Sequence, residues 1–260
     1  AFHLSSLANF QIRLGRLNDA IASVTRGLAI IEHHAEPGSS TLGAFHSVAG
    51  NASLFARKAG PAIDHLRQAL AIGINALGPT NVNTLATRGS LGLALQLAGR
   101  VDDASREIEL GLTDMKAAGK PAPRLLYAAG VLGRQQGALD RAETRLDEAA
   151  AAVNEPLLQA QILTEQGMIS LARGDVPAAL TRLQAASARF DELGIEPTPA
   201  RADVLIGLGR AWLASREPAR AEPFFDEASR FWQGFDANHP EAAMAAGLLA
   251  QCRTALAGRR

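Results

Sequence analysis

Residues 14–30, LGRLNDAIASVTRGLAI, decide the fold. A glycine closes one apolar segment, a short polar turn follows, and a new segment opens with apolar residues at helical spacing. The arrangement returns as LAGRVDDASREIELGL at 97–112 and QGALDRAETRLDEAA at 136–150. Less regular copies begin at 56 (ARKAGPAIDHLRQAL), 172 (ARGDVPAALTRLQAA) and 214 (ASREPARAEPFFDEA). Self-similarity at a spacing near 40 residues marks a repeat architecture in which each copy is one supersecondary unit.

Aligned on their second helices, the six copies place alanine at Ala20, Ala62, Ala104, Ala142, Ala179 and Ala221, at spacings of 42, 42, 38, 37 and 42 residues. Seven residues later stand Gly27, Ala69, Gly111, Ala149, Ala186 and Ala228, with Val24, Leu66, Ile108, Leu146, Leu183 and Phe225 between the two small sites. Twelve residues before the alanines, in the first helix of each pair, stand Ala8, Gly50, Gly92, Gly130, Gly167 and Gly209. Glycine inside a helix costs about 1 kcal/mol relative to alanine, so five of them forfeit roughly 5 kcal/mol of helix propensity. Close approach of the paired helices explains them, and the spacing predicts that each first-helix glycine crosses the alanine of its partner, Gly130 facing Ala142. The two shorter spacings predict that the second helices of the fourth and fifth units are about a turn shorter than the rest.

Composition agrees with packed helices. The chain has 260 residues, 47% hydrophobic and only 5% aromatic, enough to bury a sizeable core. Its 26 basic residues balance 26 acidic ones, so no net field draws nucleic acid or an anionic membrane to the molecule. Cys252 is the only cysteine, which rules out an internal disulfide and fits a reducing, cytoplasmic setting. No apolar run reaches the 18 to 20 or so residues of a membrane span, and the opening residues read directly as helix, as in a piece of a longer protein.

The small-residue columns resemble the tetratricopeptide repeat, which has a small residue midway along its first helix, a turn glycine, and alanines early and late in its second. The turn glycine is present at Gly15, Gly99, Gly137 and Gly174 and replaced by Arg57 and Arg216. The 42-residue period, with Gly78-Pro79 opening a unit, resembles the longer repeat of kinesin light chains and bacterial regulatory proteins. The resemblance implies an all-α, right-handed α-solenoid of about six helix pairs, over 1–40, 41–81, 82–120, 121–156, 157–198 and 199–238, plus a capping helix at 241–257. The segment Ala257-Gly258-Arg259 repeats the turn Ala98-Gly99-Arg100. Linkers such as EPGSS from 36, GKPAP from 119 and GIEPTP from 194 are too short for flexible tethers, so residues 1–260 are read as one solenoid domain.

Chemistry-bearing residues are sparse. His33 and His34 are adjacent and diverge by about 100° on a helix. His46 has no carboxylate at metal-ligand spacing, and His65 is read on the outward face of a second helix. Asp19, Asp102 and Asp103 lie in first turns, where they complement the helix dipole. The glycines near 89–92 and 207–209 follow no strand and precede no Gly-Lys-Ser/Thr, so no phosphate loop is read. No catalytic residue, metal ligand or cofactor is assigned, and the chain is not read as an enzyme.

The residue after each small first-helix site turns about 100° from the helix-pair contact toward the concave side of a solenoid. This selects a groove whose binding residues are Asn9, Arg13, Asn51, Phe55, Gln96, Tyr127, Arg134, Gln135, Met168 and Arg210. Resemblance to chaperone-tail clamps would place asparagines at Asn9 and Asn51, but Ser5 and Ala86 stand where clamp lysines are expected. A protein or peptide partner with apolar anchors and one or two acidic groups is the better match, and neither nucleic acid nor membrane is expected. End-to-end self-association through uncovered terminal faces is the other expectation. The leading reading is an interaction module, scaffold or adaptor, within a larger bacterial regulatory or signalling protein. The alternative is a sensor domain that closes on a signalling peptide or small ligand and shifts an attached output domain.

Overall fold

The computed structural model describes residues 2–36 and 38–257, so Pro37 of the EPGSS linker and the Gly258-Arg259 end lie outside the described residues. Thirteen helices fill the described chain: α1 (Phe2–Arg13), α2 (Leu17–Ile31), α3 (Ser40–Phe55), α4 (Ala59–Leu77), α5 (Val82–Leu97), α6 (Val101–Ala118), α7 (Pro123–Gln135), α8 (Leu139–Ala152), α9 (Pro156–Ala172), α10 (Val176–Leu193), α11 (Pro199–Ala214), α12 (Pro218–Asp236) and α13 (Pro240–Ala257). They form two compact units, residues 1–154 and 155–260. In the first unit α1–α8 pack as four consecutive helix pairs, with the first helices α1, α3, α5 and α7 also touching in sequence. In the second, α9–α10 and α11–α12 form two pairs, and α13 packs on α12.

One turn joins the two helices of every pair. At the end of α1 the N–H of Gly15 donates to Ile12 O and that of Arg16 to Gln11 O, at 3.0 and 2.9 Å. The same two bonds recur at Arg57 and Lys58, Gly99 and Arg100, Gly137 and Ala138, Gly174 and Asp175, and Arg216 and Glu217. This Schellman closure needs a left-handed residue. Gly15, Gly99, Gly137 and Gly174 supply it at φ between 73° and 80°, and Arg57 and Arg216 are held in the same region at 58° and 60°. The repeat thus imposes its turn on two residues that disfavour it.

Inside each pair the structure corrects the expected crossing. A Cβ on Gly130 would stand 2.6 Å from Cγ of Leu146, whereas the nearest atom of Ala142 is its carbonyl oxygen at 3.3 Å. Gly50 meets Leu66, Gly92 meets Ile108, Gly167 meets Leu183 and Gly209 meets Phe225 in the same way, at 2.5 to 2.7 Å and always 16 residues apart. The large residue of the second helix therefore enters the space left by the glycine. The alanines flank this knob, so the backbones can close around it; all six early alanines are 0% exposed. In the fourth pair Gly133 is the residue that touches Ala142, at 3.1 Å from a notional Cβ to the alanine methyl.

A second expectation also changes. α8 has 14 residues against 19 in α4 and 18 in α6, but α10 has 18. The alanine spacings span the rest of one second helix and the whole of the next first helix, so the deficit falls on α7, with 13 residues, and α8 rather than on α10.

The second unit holds an aromatic cluster. Trp232 is fully buried and stacks on His239 with ring centroids 4.7 Å apart, while Phe231 and Phe235 pack around it. Trp212 lies beneath the Arg220 guanidinium at 4.7 Å.

Two outcomes test these packing rules. Gly130→Leu should lower stability by roughly 1–3 kcal/mol, because its side chain must displace Leu146. Gly247→Ala in α13, where no atom lies within 4 Å of the new methyl, should instead gain about 1 kcal/mol of helix propensity. Urea midpoints measure both. Separately, Arg57→Gly and Arg216→Gly should each raise stability by about 0.5–1 kcal/mol by relieving a left-handed residue, read from the same midpoints.

Candidate functional site

A group of buried polar atoms, on Asn51, Thr84 and Ser90, lies between α3, α4 and α5 in the first unit. A cavity of about 430 Å³ is walled on one side by Ser40, Ala44, Ser47, Val48 and Asn51 of α3 and on the other by Asn83, Thr84, Ala86, Thr87 and Ser90 of α5. Ala69, Ile72, Gly73, Ala76 and Leu77 of α4 line it as well. Helical spacing makes the two walls: 40, 44, 47 and 51 share one face of α3, and 84, 87 and 90 one face of α5.

Three buried atoms here have no hydrogen-bond partner: Asn51 Oδ1, Thr84 Oγ1 and Ser90 Oγ. Thr84 is 1% exposed and Ser90 0%. Helical hydroxyls elsewhere in the chain donate to the carbonyl four residues back, as Thr87 does to Asn83, Thr113 to Glu109, Thr144 to Asp140 and Thr164 to Ala160. Thr84 is the third residue of α5, so the position four back precedes the helix. Ser90 has Ala86 at that position and still does not use its carbonyl. Of the residues lining the cavity, Arg124 of α7 alone is charged, and its guanidinium lies over the Phe55 ring at 5.7 Å.

The cavity sits here because the next junction is shut. A Cβ on Gly89 would lie 2.8 Å from Cα of Leu125, so α5 and α7 touch backbone to backbone. The Gln96 amide then donates across them to Ala128 O at 3.3 Å.

The ten groove residues expected from the sequence fall into different settings. Asn9, Arg13 and Gln135 are exposed, while Asn51, Phe55, Tyr127, Arg134, Met168 and Arg210 are half-buried. Gln96 is buried with its amide committed to Ala128. Of these, Asn51 lines the cavity directly and Phe55 reaches it through Arg124. Met168 and Arg210 belong to the second unit, where Arg210 approaches the Met244 sulfur at 3.8 Å. Thr84, Ser90 and Arg124 are absent from the expected groove, because the sequence pattern follows the face turned outward from the pair contact and not the flank turned toward the neighbouring first helix. The period-three row of hydroxyls in α5, Thr84, Thr87 and Ser90, is the signal that could have found the first two.

Beside the cavity, His46 of α3 and His65 of α4 meet Nδ1 to Nδ1 at 3.1 Å with their rings stacked. His65 is half-buried and pairs across the helices rather than standing alone on an outward face. Adding one 42-residue period gives Arg88 and Glu107, an ion pair at 3.0 Å that Asp114 joins at 3.5 Å. The first-helix position holds Leu4, Leu126, Leu163 and Leu205 in the other units, so it carries a polar side chain only in the two units around the cavity. Among the described residues no three His, Cys, Asp or Glu side chains gather to hold a metal. None of the described helices is long and apolar enough to cross a membrane.

Solved structures of known proteins share this architecture. A tetratricopeptide repeat protein from Parabacteroides merdae ATCC 43184 superposes with a TM-score of 0.59 at 17% identity, over 96% of this chain and 83% of that one. A single-substitution variant of a Podosopora anserina kinesin light chain with nearly identical TPR-like repeats gives 0.51 at 18% identity, over 77% and 98%. The Rap conjugation gene regulator of plasmid pLS20, solved in complex with the Phr* peptide, gives 0.66 at 15% identity, over 96% and 72%. The fold is therefore that of the tetratricopeptide-repeat proteins, an all-α solenoid of helix pairs. No family model matches the sequence, and no curated protein matches it either.

Burial holds the His46 proton affinity below the ordinary value of 6.5, His65 lowers it further, and Glu32 opposes both; burial likewise lowers His65 against the pull of Asp64 and Glu32. A base whose folded affinity is depressed binds its proton more readily in the unfolded chain, so stability falls as pH drops below about 6.5. The wild-type protein should lose denaturant resistance between pH 7.5 and pH 5.5, and His65→Gln should show a smaller loss over that interval.

Proposed function

We propose that this chain is a protein-interaction module that holds an extended peptide or protein segment against the first-helix face of its N-terminal unit, a face that includes the α3–α5 cavity. The observation that carries the reading is the cavity itself, a slot of about 430 Å³ walled by hydroxyl, amide and small apolar side chains of α3, α4 and α5. The lining residues supply hydroxyls, amides and one guanidinium and include no carboxylate, imidazole or thiol, which suits binding without catalysis.

Asn9 and Asn51 offer amides to a peptide backbone, Tyr127 and Phe55 offer aromatic surface, and Arg13, Arg124 and Arg134 offer cations to acidic groups. Gln135 extends this surface along α7, and Met168 and Arg210 occupy the corresponding first helices of the second unit. The peptide-bound Rap regulator supports a peptide as the kind of partner, and the proposal includes a regulatory role in the cytoplasm as part of a larger protein. A second reading, a sensor of a small ligand, draws on the same cavity, whose volume is within the usual range for small-molecule sites.

Panning a displayed library of random twelve-residue peptides against the full chain tests the proposal. Selected peptides should lose about 2 kcal/mol of affinity, roughly 30-fold, on Tyr127→Ala or Arg134→Ala, and a measurable part on Asn51→Ala. Arg67→Ala and Glu109→Ala, on exposed faces of the second helices α4 and α6, should leave binding unchanged. Peptides that respond to the latter pair and ignore the former place recognition on the opposite face.

A further inference from the structure

We propose that a trough on the fourth helix pair, between the end of α6 and α8, docks an acidic peptide segment. Large apolar side chains of the segment lie on the half-buried Leu112 and Met115, and its carboxylates meet Lys116 and Lys120. The residues that line this trough differ from those of the α3–α5 cavity, so it is a second surface, independent of the reading given for that cavity.

The repeat explains why the trough is open. Four residues before the small first-helix site stand His46, Arg88 and Leu126 in the second, third and fourth units. Three residues after the early alanine of the second helix stand His65, Glu107 and Arg145. In the second and third units these positions meet, His46 with His65 at 3.1 Å and Arg88 with Glu107 at 3.0 Å, and Asp114 joins the latter pair from ten residues after the alanine. In the fourth unit the same three positions are Leu126, Arg145 and Ala152, and all three line a trough of about 600 Å³. Leucine has no polar atom to offer, so Arg145 pairs with Glu148 on its own helix at 2.7 Å, and Ala152 is too short to fill the gap.

Charge and shape select the occupant. Leu112 and Met115, in the last turns of α6, form an apolar floor above the buried Leu126. Lys116 follows Met115, and Lys120 follows Gly119, whose left-handed backbone (φ 65°) ends the helix. Among the described residues neither ammonium group has an ion-pair or hydrogen-bond partner. The one carboxylate in the lining, Glu148, is engaged by Arg145. Uncommitted positive charge thus stands beside apolar surface, and the matching ligand is acidic and apolar together. A basic segment would meet like charge, and an acidic segment without large apolar groups would leave the floor uncovered. Fatty acids carry both parts, but Lys116, Lys120, Glu148 and Ala151 are exposed, so the trough covers what enters from one side only. Side chains held on a peptide backbone suit such a surface better than a free alkyl chain, whose far side would stay in water.

The test uses the full chain and fluorescein-labelled peptides followed by fluorescence anisotropy. The probe is acetyl-Gly-Asp-Glu-Leu-Phe-Glu-Leu-Gly-amide; one control replaces its acidic residues by lysine, and another replaces its leucines and phenylalanine by serine. The probe should bind at least tenfold more tightly than either control. Lys116→Glu/Lys120→Glu should reverse the preference, so that the lysine peptide binds more tightly than the probe. Ala151→Phe, which fills the trough from an exposed position, should weaken the probe by about tenfold. These variants change exposed side chains, so their melting temperatures should match that of the wild-type chain. Asn51→Ala and Tyr127→Ala should leave the probe's affinity unchanged. Absence of saturable binding by the probe overturns the proposal, as does equal binding of a control or a preference that charge reversal leaves in place. A probe that responds to Asn51→Ala or Tyr127→Ala and ignores the lysine pair lies on the first-helix face, which overturns the trough and leaves the reading of that face intact. Displacement of the probe by an equal concentration of dodecanoate makes the trough a fatty-acid site and overturns the peptide as its occupant.

Discussion

The structure depends on a hydrogen atom where a methyl group would normally be. In five of the six pairs a first-helix glycine leaves room for a leucine, isoleucine or phenylalanine of the second helix, whose side chain comes within 2.5 to 2.7 Å of the vacant Cβ position. The first pair uses Ala8 against Val24, a slightly larger socket residue for a smaller knob. Helix propensity is given up at each glycine, and close packing of the knob offsets it. Once knob and socket are in register, the flanking alanines fix the separation of the helices and the left-handed turn fixes where the second begins. The remaining features, including the cavity, occupy what this arrangement leaves over.

Most of the fold is legible in the sequence because repetition averages out the ambiguity of a single segment. Any one alanine in so alanine-rich a chain says little, but Ala20, Ala62, Ala104, Ala142, Ala179 and Ala221 in step with a glycine column leave little room for another architecture. The alignment does not tell which second-helix residue fills each socket, because residues 12 and 16 beyond the glycine are one turn apart on the same face of the helix. The structure chooses the larger one. Arg57 and Arg216 show the converse: residue preference argues against a turn there, and the packing on either side overrides it.

The candidate site is less legible for a physical reason. A concave stripe can be drawn from helix periodicity, but the depth between adjacent first helices depends on how closely their backbones approach, and that is set by long-range packing. Gly89 admits the backbone of α7 and closes one junction, whereas α3 and α5 remain apart and leave a slot. Asn51 is legible because it lies on the outward face; Thr84 and Ser90 are not, because they turn sideways. The polar pairs His46–His65 and Arg88–Glu107 become visible only when a residue in a first helix and one 19 positions later in the second are seen to touch.

The placement of aromatic chromophores has a spectroscopic consequence. Trp212 and Trp232 are the only tryptophans in the chain, and both lie in residues 155–260, each against a cationic or titratable neighbour, Arg220 and His239. The sole tyrosine, Tyr127, lies in residues 1–154. Emission excited at the red edge of indole absorbance therefore reports the C-terminal helices alone, while circular dichroism weighs every helix. If the two signals melt at different temperatures, the halves of the repeat array unfold as separate cooperative blocks; coincident melting makes the array a single block.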